Sequence, residues 1–209
     1  MPSGLEIETA GALGLPAVTA WLALATLEPR AGQRVLVTGA TSAVGVMAIQ
    51  LLAAAGCRVI ASGRSAGKLE RLRDLGVAEL VATGDDPRWN DRLEPVDRVF
   101  DLIGRVTFAA AIDKLAPHGR LVFVGGTSGG ELELSGWALM RPVVLTGYSS
   151  ETLDRAQLAE AMQHVAAAAA AGTLRVPALE QVPLAEAARA HRMLEAGDNT
   201  GRVVLVPGQ

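Results

Sequence analysis

The stretch Val37-Thr38-Gly39-Ala40-Thr41-Ser42-Ala43-Val44-Gly45 constrains the fold of this chain more than any other. It follows Arg34-Val35-Leu36-Val37-Thr38, a β-branched run, and leads into Ala43 to Ala55, which is apolar nearly all round. A continuously apolar strand is buried on both faces, as in a parallel sheet, and a helix apolar all round is itself buried. Gly39 permits a tight turn, and Gly45 lets the helix pack closely on the strand. The backbone N–H groups around Ala43 and Val44 then sit at a helix N-terminus, where orphan donors and the helix dipole favour an anion such as a pyrophosphate. Ser42 or Ala43 replaces the middle glycine of the usual phosphate-binding pattern. The competing reading is a strand–helix turn that binds nothing.

The same alternation continues along the chain. Strands are expected at Arg58 to Ser62, Glu79 to Ala82, Asp97 to Asp101, Arg120 to Val124 and Val143 to Thr146. Helices are expected at about Ser65 to Leu75 and Val106 to Leu115, with a first helix at Pro16 to Leu27 that starts on its proline. Two successive βαβαβ-like halves predict an α/β fold, a doubly wound parallel sheet of the Rossmann type with helices on both faces. A long helix (Thr152 to Ala171), another at Leu184 to Ala196 and a last strand at Arg202 to Val206 complete the pattern. No linker marks a second domain, so residues 1–209 are expected to form one.

Composition removes several function classes. The net charge is −3 with mixed signs along the chain, which gives no basic face for nucleic acid. Cys57, the single cysteine, excludes an internal disulfide and reads as a small core residue. Met1 to Thr9 lacks the form of a signal peptide, and no uninterrupted apolar run reaches the ~20 residues that span a bilayer. Val165 to Ala171 comes closest. A soluble, cytoplasmic protein without a membrane segment is expected.

The end of the second strand bears on cofactor choice. A carboxylate there, ~20 residues after the glycines, takes the ribose hydroxyls of NAD. Here the residues are Ala61-Ser62-Gly63-Arg64-Ser65, with Lys68 just beyond and no acid among them. Arg64 and Lys68 are suited to a 2′-phosphate, with Ser62, Gly63 or Ser65 beside it, and this favours NADP(H) over NAD. Solvated surface charge is the alternative.

Further stretches match a known family: Leu15-Pro16-Ala17-Val18-Thr19-Ala20-Trp21, Val35 to Ala40 with Ser42 to Gly45, and Ala48-Ile49-Gln50-Leu51. Lys68-Leu69-Glu70, Leu75-Gly76-Val77, Phe100-Asp101 with Gly104, Leu115 to Val122, Leu184 to Ala188 with Ala190-His191, and Thr200 to Leu205 extend the match. The chain resembles the medium-chain dehydrogenase/reductase superfamily, in its zinc-independent quinone oxidoreductase and polyketide enoylreductase-like branch. The resemblance covers the cofactor-binding domain and lacks the N-terminal GroES-like catalytic domain. It implies hydride transfer from NADPH to an enone or enoyl-type substrate in a cleft whose other wall is missing here. A partner chain that supplies that wall is one expectation. A homodimer through the Val143–Gly147 edge strand is another.

The resemblance also implies that Gly125 and Thr127 lie near the nicotinamide and that Asp101 lies near the same crevice. Tyr148, the single tyrosine, is the one phenolic proton donor. Lys68 resembles a lysine considered as a proton donor in related enoylreductases, with Asp86 or Asp91 as its acid, although phosphate binding is preferred. His118, His164 and His191 do not have metal-ligand spacing, so no metal is expected. Two other classes remain open. One is a non-redox cyclase or isomerase that uses an acid–base pair such as Asp101 with Tyr148. The other is a cofactor-binding module without catalysis.

Overall fold

The structure, a computed structural model, describes residues 6–176, 178–197, 199 and 201–208. Thr200, part of the family-like ending, and Met1 to Leu5 of the acidic start lie outside the described residues. The chain divides into two compact units, one of Thr19–Asp154 and one of the residues up to Val18 with those from Arg155 onward.

The larger unit holds a six-stranded sheet: β1 (Arg34–Val37), β2 (Arg58–Gly63), β3 (Val77–Ala82), β4 (Val96–Asp101), β5 (Leu115–Phe123) and β6 (Val144–Gly147). The strand order is β3-β2-β1-β4-β5-β6, and every pairing is parallel. This is the doubly wound arrangement that the sequence predicts. The chain leaves β1 toward β2 and β3, then returns to add β4, β5 and β6 on the other side. Right-handed crossovers in opposite directions carry α2 (Ala43–Ala54) and α3 (Ala66–Glu70) to one face and α4 (Arg105–Asp113) to the other. The order therefore reverses between β1 and β4, and their carboxyl ends flank a crevice.

Packing follows residue type. Val35, Leu36 and Val37 of β1 are fully buried, and α2 buries Met47, Ala48, Ile49, Leu51 and Leu52. On the α4 side, Phe108, Ala111 and Ile112 join Leu36, Ile60, Val99 and Leu121, with Trp89 and Leu93 from the loop after β3. Phe108 and Phe123 meet edge to face, with ring centres 6.0 Å apart. Full burial of a Leu, Ile or Phe side chain contributes roughly 1.5–3 kcal/mol. The Arg141 guanidinium donates to the carbonyls of Ile112, Asp113 and Leu115, closing the end of α4 where backbone acceptors lack helical partners.

Four expectations are corrected. The first helix, α1, runs Ile7–Leu27 with Pro16 inside it. A proline removes one backbone donor, but Ala12, Leu13, Ala17 and Val18 are all buried, so packing outweighs the local break. α1 is also apolar enough, by length and composition, to cross a membrane, a stretch that counting uninterrupted runs passes over. Half of its most apolar stretch is buried inside the protein. The helix expected over Ser65 to Leu75 is α3 followed by a separate 3₁₀ turn, Arg73–Leu75, closed by left-handed Gly76. Lastly, β5 begins at Leu115, which pairs with Val96, so His118 lies within the strand rather than before it. The strand is kinked there, with His118 at φ 62° and its N–H on the Pro142 carbonyl.

The smaller unit contains the start of α1, α5 (Arg155–Ala170) and a β–α–β unit. The latter is β7 (Leu179–Pro183), α6 (Ala187–Ala196) and β8 (Arg202–Val206), with the two strands parallel. Gly201 allows the close approach to β7, since a Cβ there would lie 2.3 Å from the Ala178 carbonyl oxygen.

Candidate functional site

The turn after β1 is built for close backbone approach. Gly39 has φ 62°, in the left-handed region that favours glycine. A Cβ on Gly45 would lie 2.7 Å from the carbonyl oxygens of both Gly39 and Ala40. The glycine thus lets α2 pack closely on the turn that ends β1. Ser42 caps α2, its hydroxyl accepting the Gly45 N–H at 3.1 Å. The first helical bond is from the Val46 N–H to the Ser42 carbonyl. The Ala43 and Val44 N–H groups have no acceptor among the described residues, so the half-exposed end of α2 offers two donors to an anion.

Beside this turn, Thr41, Arg64, Ser65, Lys68, Gly84 and Asp85 line an open groove of about 360 Å³. Arg64 follows the end of β2, and Lys68 lies on α3, whose first turn is capped by the Ser65 hydroxyl. Four residues singled out from sequence therefore share one surface: Thr41, Arg64, Ser65 and Lys68. Gly63 ends β2 next to them. Ser62 does not join them. Its side chain is 1% exposed and its hydroxyl oxygen, buried behind the strand end, has no hydrogen-bond partner.

Asp101, at the end of β4, is fully buried. Its Oδ1 accepts from the Thr38 hydroxyl, the Ile103 and Gly104 N–H groups at 3.2 and 3.3 Å, and the Thr107 hydroxyl at 3.3 Å. Its Oδ2 is buried without a partner. Burial pushes the Asp101 carboxyl up from the usual range, and the Thr38 hydrogen bond opposes that rise first among the four donors. The Thr38 oxygen in turn accepts the Leu102 N–H at 3.1 Å. Asp101 thus ties the end of β1 to the loop after β4.

The loop after β5 closes on that same loop. Ser128 donates from both N–H and hydroxyl to the Ile103 carbonyl, at 3.0 and 2.9 Å. Thr127 donates its hydroxyl to the Leu102 carbonyl at 3.2 Å. A Cβ on Gly104 or Gly126 would lie 3.2 Å from the Gly129 carbonyl, and one on Gly125 would lie 3.3 Å from the Leu102 carbonyl. Gly125 and Thr127 are therefore fixed beside the crevice, with the Thr127 proton already engaged.

Tyr148 follows β6 and donates its N–H to the Phe123 carbonyl at 2.9 Å. Burial pushes its phenol up, opposed by neighbouring Thr19, and the hydroxyl oxygen is buried with no hydrogen-bond partner of good geometry. Asp101 pairs with Phe123, and Phe123 with Gly147, so two strand spacings, roughly 10 Å, separate the backbones near Asp101 and Tyr148. The structure does not bring these two together as an acid–base pair. Neither of the expected acids, Asp86 and Asp91, lines the groove with Lys68. Asp86 accepts the Arg88 N–H at 2.9 Å, and it is Asp85 that lines the groove. Asp85 was missed because it follows β3 and only the β2–β3 pairing brings it near Arg64. Burial also pushes the Cys57 thiol up, with its Sγ on the Arg30 carbonyl, consistent with a core role. Among the described residues, no three His, Cys, Asp or Glu side chains are grouped to hold a metal ion.

Comparison with known proteins gives these features a context. Residues 75–205 match a family model described as zinc-binding dehydrogenase. Quinone oxidoreductase from Pseudomonas aeruginosa is 30% identical over 99% of the chain, which spans 67% of that protein's length. Acryloyl-coenzyme A reductase from Metallosphaera sedula is 29% identical over 93% of the chain and is spanned over 58% of its own length. The structure of quinone oxidoreductase from Thermus thermophilus, reported also in complex with NADPH, superposes with a TM-score of 0.82 at 30% identity. That match covers 98% of this chain and 69% of the other.

Proposed function

Because the chain belongs to the zinc-binding dehydrogenase family, and forms the cofactor-binding domain of the medium-chain dehydrogenase/reductase superfamily, we propose that it binds NADP(H) and serves hydride transfer to an enone, quinone or enoyl-type substrate. The groove beside the turn after β1 carries this reading: its lining places Arg64 and Lys68 together, with no acid at the end of β2. The residues fit the cofactor. The close-packed Gly45 and the free N–H groups of Ala43 and Val44 suit a pyrophosphate, while Arg64, Lys68 and Thr41 suit a 2′-phosphate. When bound, the nicotinamide supplies the hydride.

The chain's own residues bind and orient. Lys68 acts on phosphate rather than as a proton donor. Asp101 positions the crevice by fixing Thr38 against Gly104 and Thr107, while Gly125 and Thr127 border the nicotinamide end. Tyr148, the single tyrosine, follows β6 as a phenolic proton donor. The substrate-facing wall comes from polypeptide outside these 209 residues, in a partner chain or in the same protein. The free edge of β6, where Val144 is exposed, pairs with a second copy. α1 is held as a core helix, with Arg98 and Arg120 on the carbonyls of Leu27 and Thr26, which suits a cytoplasmic protein.

The test is NADPH oxidation with enones, quinones and enoyl thioesters, by the chain alone and with added partner proteins. Turnover of any of these supports the reading. NADPH binding without turnover under every condition contradicts its redox part. A monomeric mass in solution contradicts the pairing through β6.

A further inference from the structure

Asp85 is the one charged residue lining the groove that the cofactor reading leaves without a role. Its placement is built rather than incidental. The Thr83 N–H donates to the Gly63 carbonyl at 2.9 Å, extending the β2–β3 pairing by one residue. The Asp86 N–H then returns to the Thr83 carbonyl at 3.1 Å, closing a tight turn with Gly84 and Asp85 at its tip. Gly84 has φ 49°, which a side-chain-bearing residue rarely adopts, and the Asp86 carboxylate holds the far side of the turn through the Arg88 N–H. Gly63, whose carbonyl anchors the turn, is also the residue before Arg64. Asp85 and Arg64 are thus fixed to the same strand end, facing one groove, and no ion pair joins them.

We propose that Asp85 is a specificity-determining residue that limits this groove's preference for a 2′-phosphate over a 2′-hydroxyl. The proposal rests on the reading of the groove as the 2′-phosphate end of a dinucleotide site. Two cations and one carboxylate leave the lining with a single net positive charge, against a phosphate monoester of about −1.5 to −2 at neutral pH. Repulsion between Asp85 and that phosphate acts on NADPH and not on NADH. The carboxylate also suits the hydroxyls of an unphosphorylated ribose, the task that an acid at the end of β2 performs in NAD-preferring sites. This sequence places that acid one strand over, at the end of β3. The groove therefore holds both recognition elements, and the cofactor ratio follows their balance.

The test is calorimetric titration of the full chain and of Asp85→Asn and Asp85→Glu with NADPH, NADH, 2′,5′-ADP and 5′-AMP. The expected result is a rise in the NADPH-over-NADH affinity ratio for Asp85→Asn of roughly three- to fivefold, the scale of one exposed charge interaction. The rise is expected to shrink at high salt, and Asp85→Glu keeps the original ratio. The 2′,5′-ADP to 5′-AMP ratio should rise in parallel, since these probes carry the phosphate without the nicotinamide. An unchanged or lower ratio in Asp85→Asn, with the unsubstituted chain preferring 2′,5′-ADP to 5′-AMP, overturns the role of Asp85 and leaves the phosphate groove standing. If the unsubstituted chain shows no preference between those two probes, the phosphate groove itself fails, and this proposal fails with it.

Discussion

The carboxyl ends of β2 and β3 and those of β4 and β5 lie at the same end of one sheet but are finished in opposite ways. After β2 and β3 the chain leaves an open groove lined by Arg64, Lys68 and Asp85. After β4 and β5 it folds two loops onto each other through Gly104, Gly126 and Gly129, with Thr127 and Ser128 on backbone carbonyls and Asp101 Oδ1 taking two hydroxyls and two backbone N–H groups. The difference separates recognition from positioning. An exposed charge is available to a ligand and is inexpensive to alter. A buried network has no spare donors, so altering it changes the shape of the crevice.

The largest effect is expected where the two regions meet, in the turn after β1. Gly45→Val places a side chain within contact of two carbonyl oxygens that a Cβ alone already meets at 2.7 Å. Loss of about 3 kcal/mol or more of stability is expected in denaturant unfolding, because neither carbonyl can move without opening the turn. A loss below about 1 kcal/mol would mean that the turn is not held as described.

Asp101→Ala comes next. It strands the Thr38 hydroxyl and the N–H groups of Ile103 and Gly104, while the Thr107 hydroxyl keeps the Gly104 carbonyl, at a cost of roughly 2–4 kcal/mol. Asp101→Asn adds a pH test. The folded carboxyl lies above its ordinary value of 3.8, so its favourable contribution is complete below that value and is lost as pH rises through the folded pKa. The stability of the native protein relative to Asp101→Asn should therefore fall as pH rises from about 4. A difference that grows with pH would contradict a carboxyl raised by burial.

The open groove gives the contrasting result. Arg64→Ala with Lys68→Ala should leave unfolding unchanged within ~0.5 kcal/mol, as expected for exposed side chains, while NADPH binding weakens by about 2–4 kcal/mol. If this pair destabilised the fold as much as Asp101→Ala does, the contrast would collapse. The smallest effect belongs to the rim of the sealed region. Arg141→Ala removes one guanidinium from three carbonyls at the end of α4 and should cost about 1 kcal/mol of stability, with cofactor affinity unchanged.

The sequence carried unequal amounts of these two regions. The apolar strand, the glycine positions 39 and 45 and the alternation of elements specified the sheet, because each is a local signal with a fixed period or a required backbone conformation. Arg64 and Lys68 were legible for the same reason, lying a fixed distance beyond the second strand. Asp85 was not, because it is remote from Arg64 in sequence and meets it only through strand pairing. Ser62 was placed in the groove on proximity along the chain, yet β2 is buried on both faces through Ser62 and only Gly63 and Arg64 beyond it reach the surface. The Asp101 network and the run of α1 through Pro16 also depend on packing partners far along the chain, which no local pattern contains.

The groove's preference is tested most simply by calorimetric titration of the purified chain with NADPH and, separately, with NADH. Saturable, one-to-one binding of both is expected, tighter for NADPH, with the excess affinity falling as salt is raised. Equal affinity for the two, or no binding of either, would contradict a groove built for a 2′-phosphate.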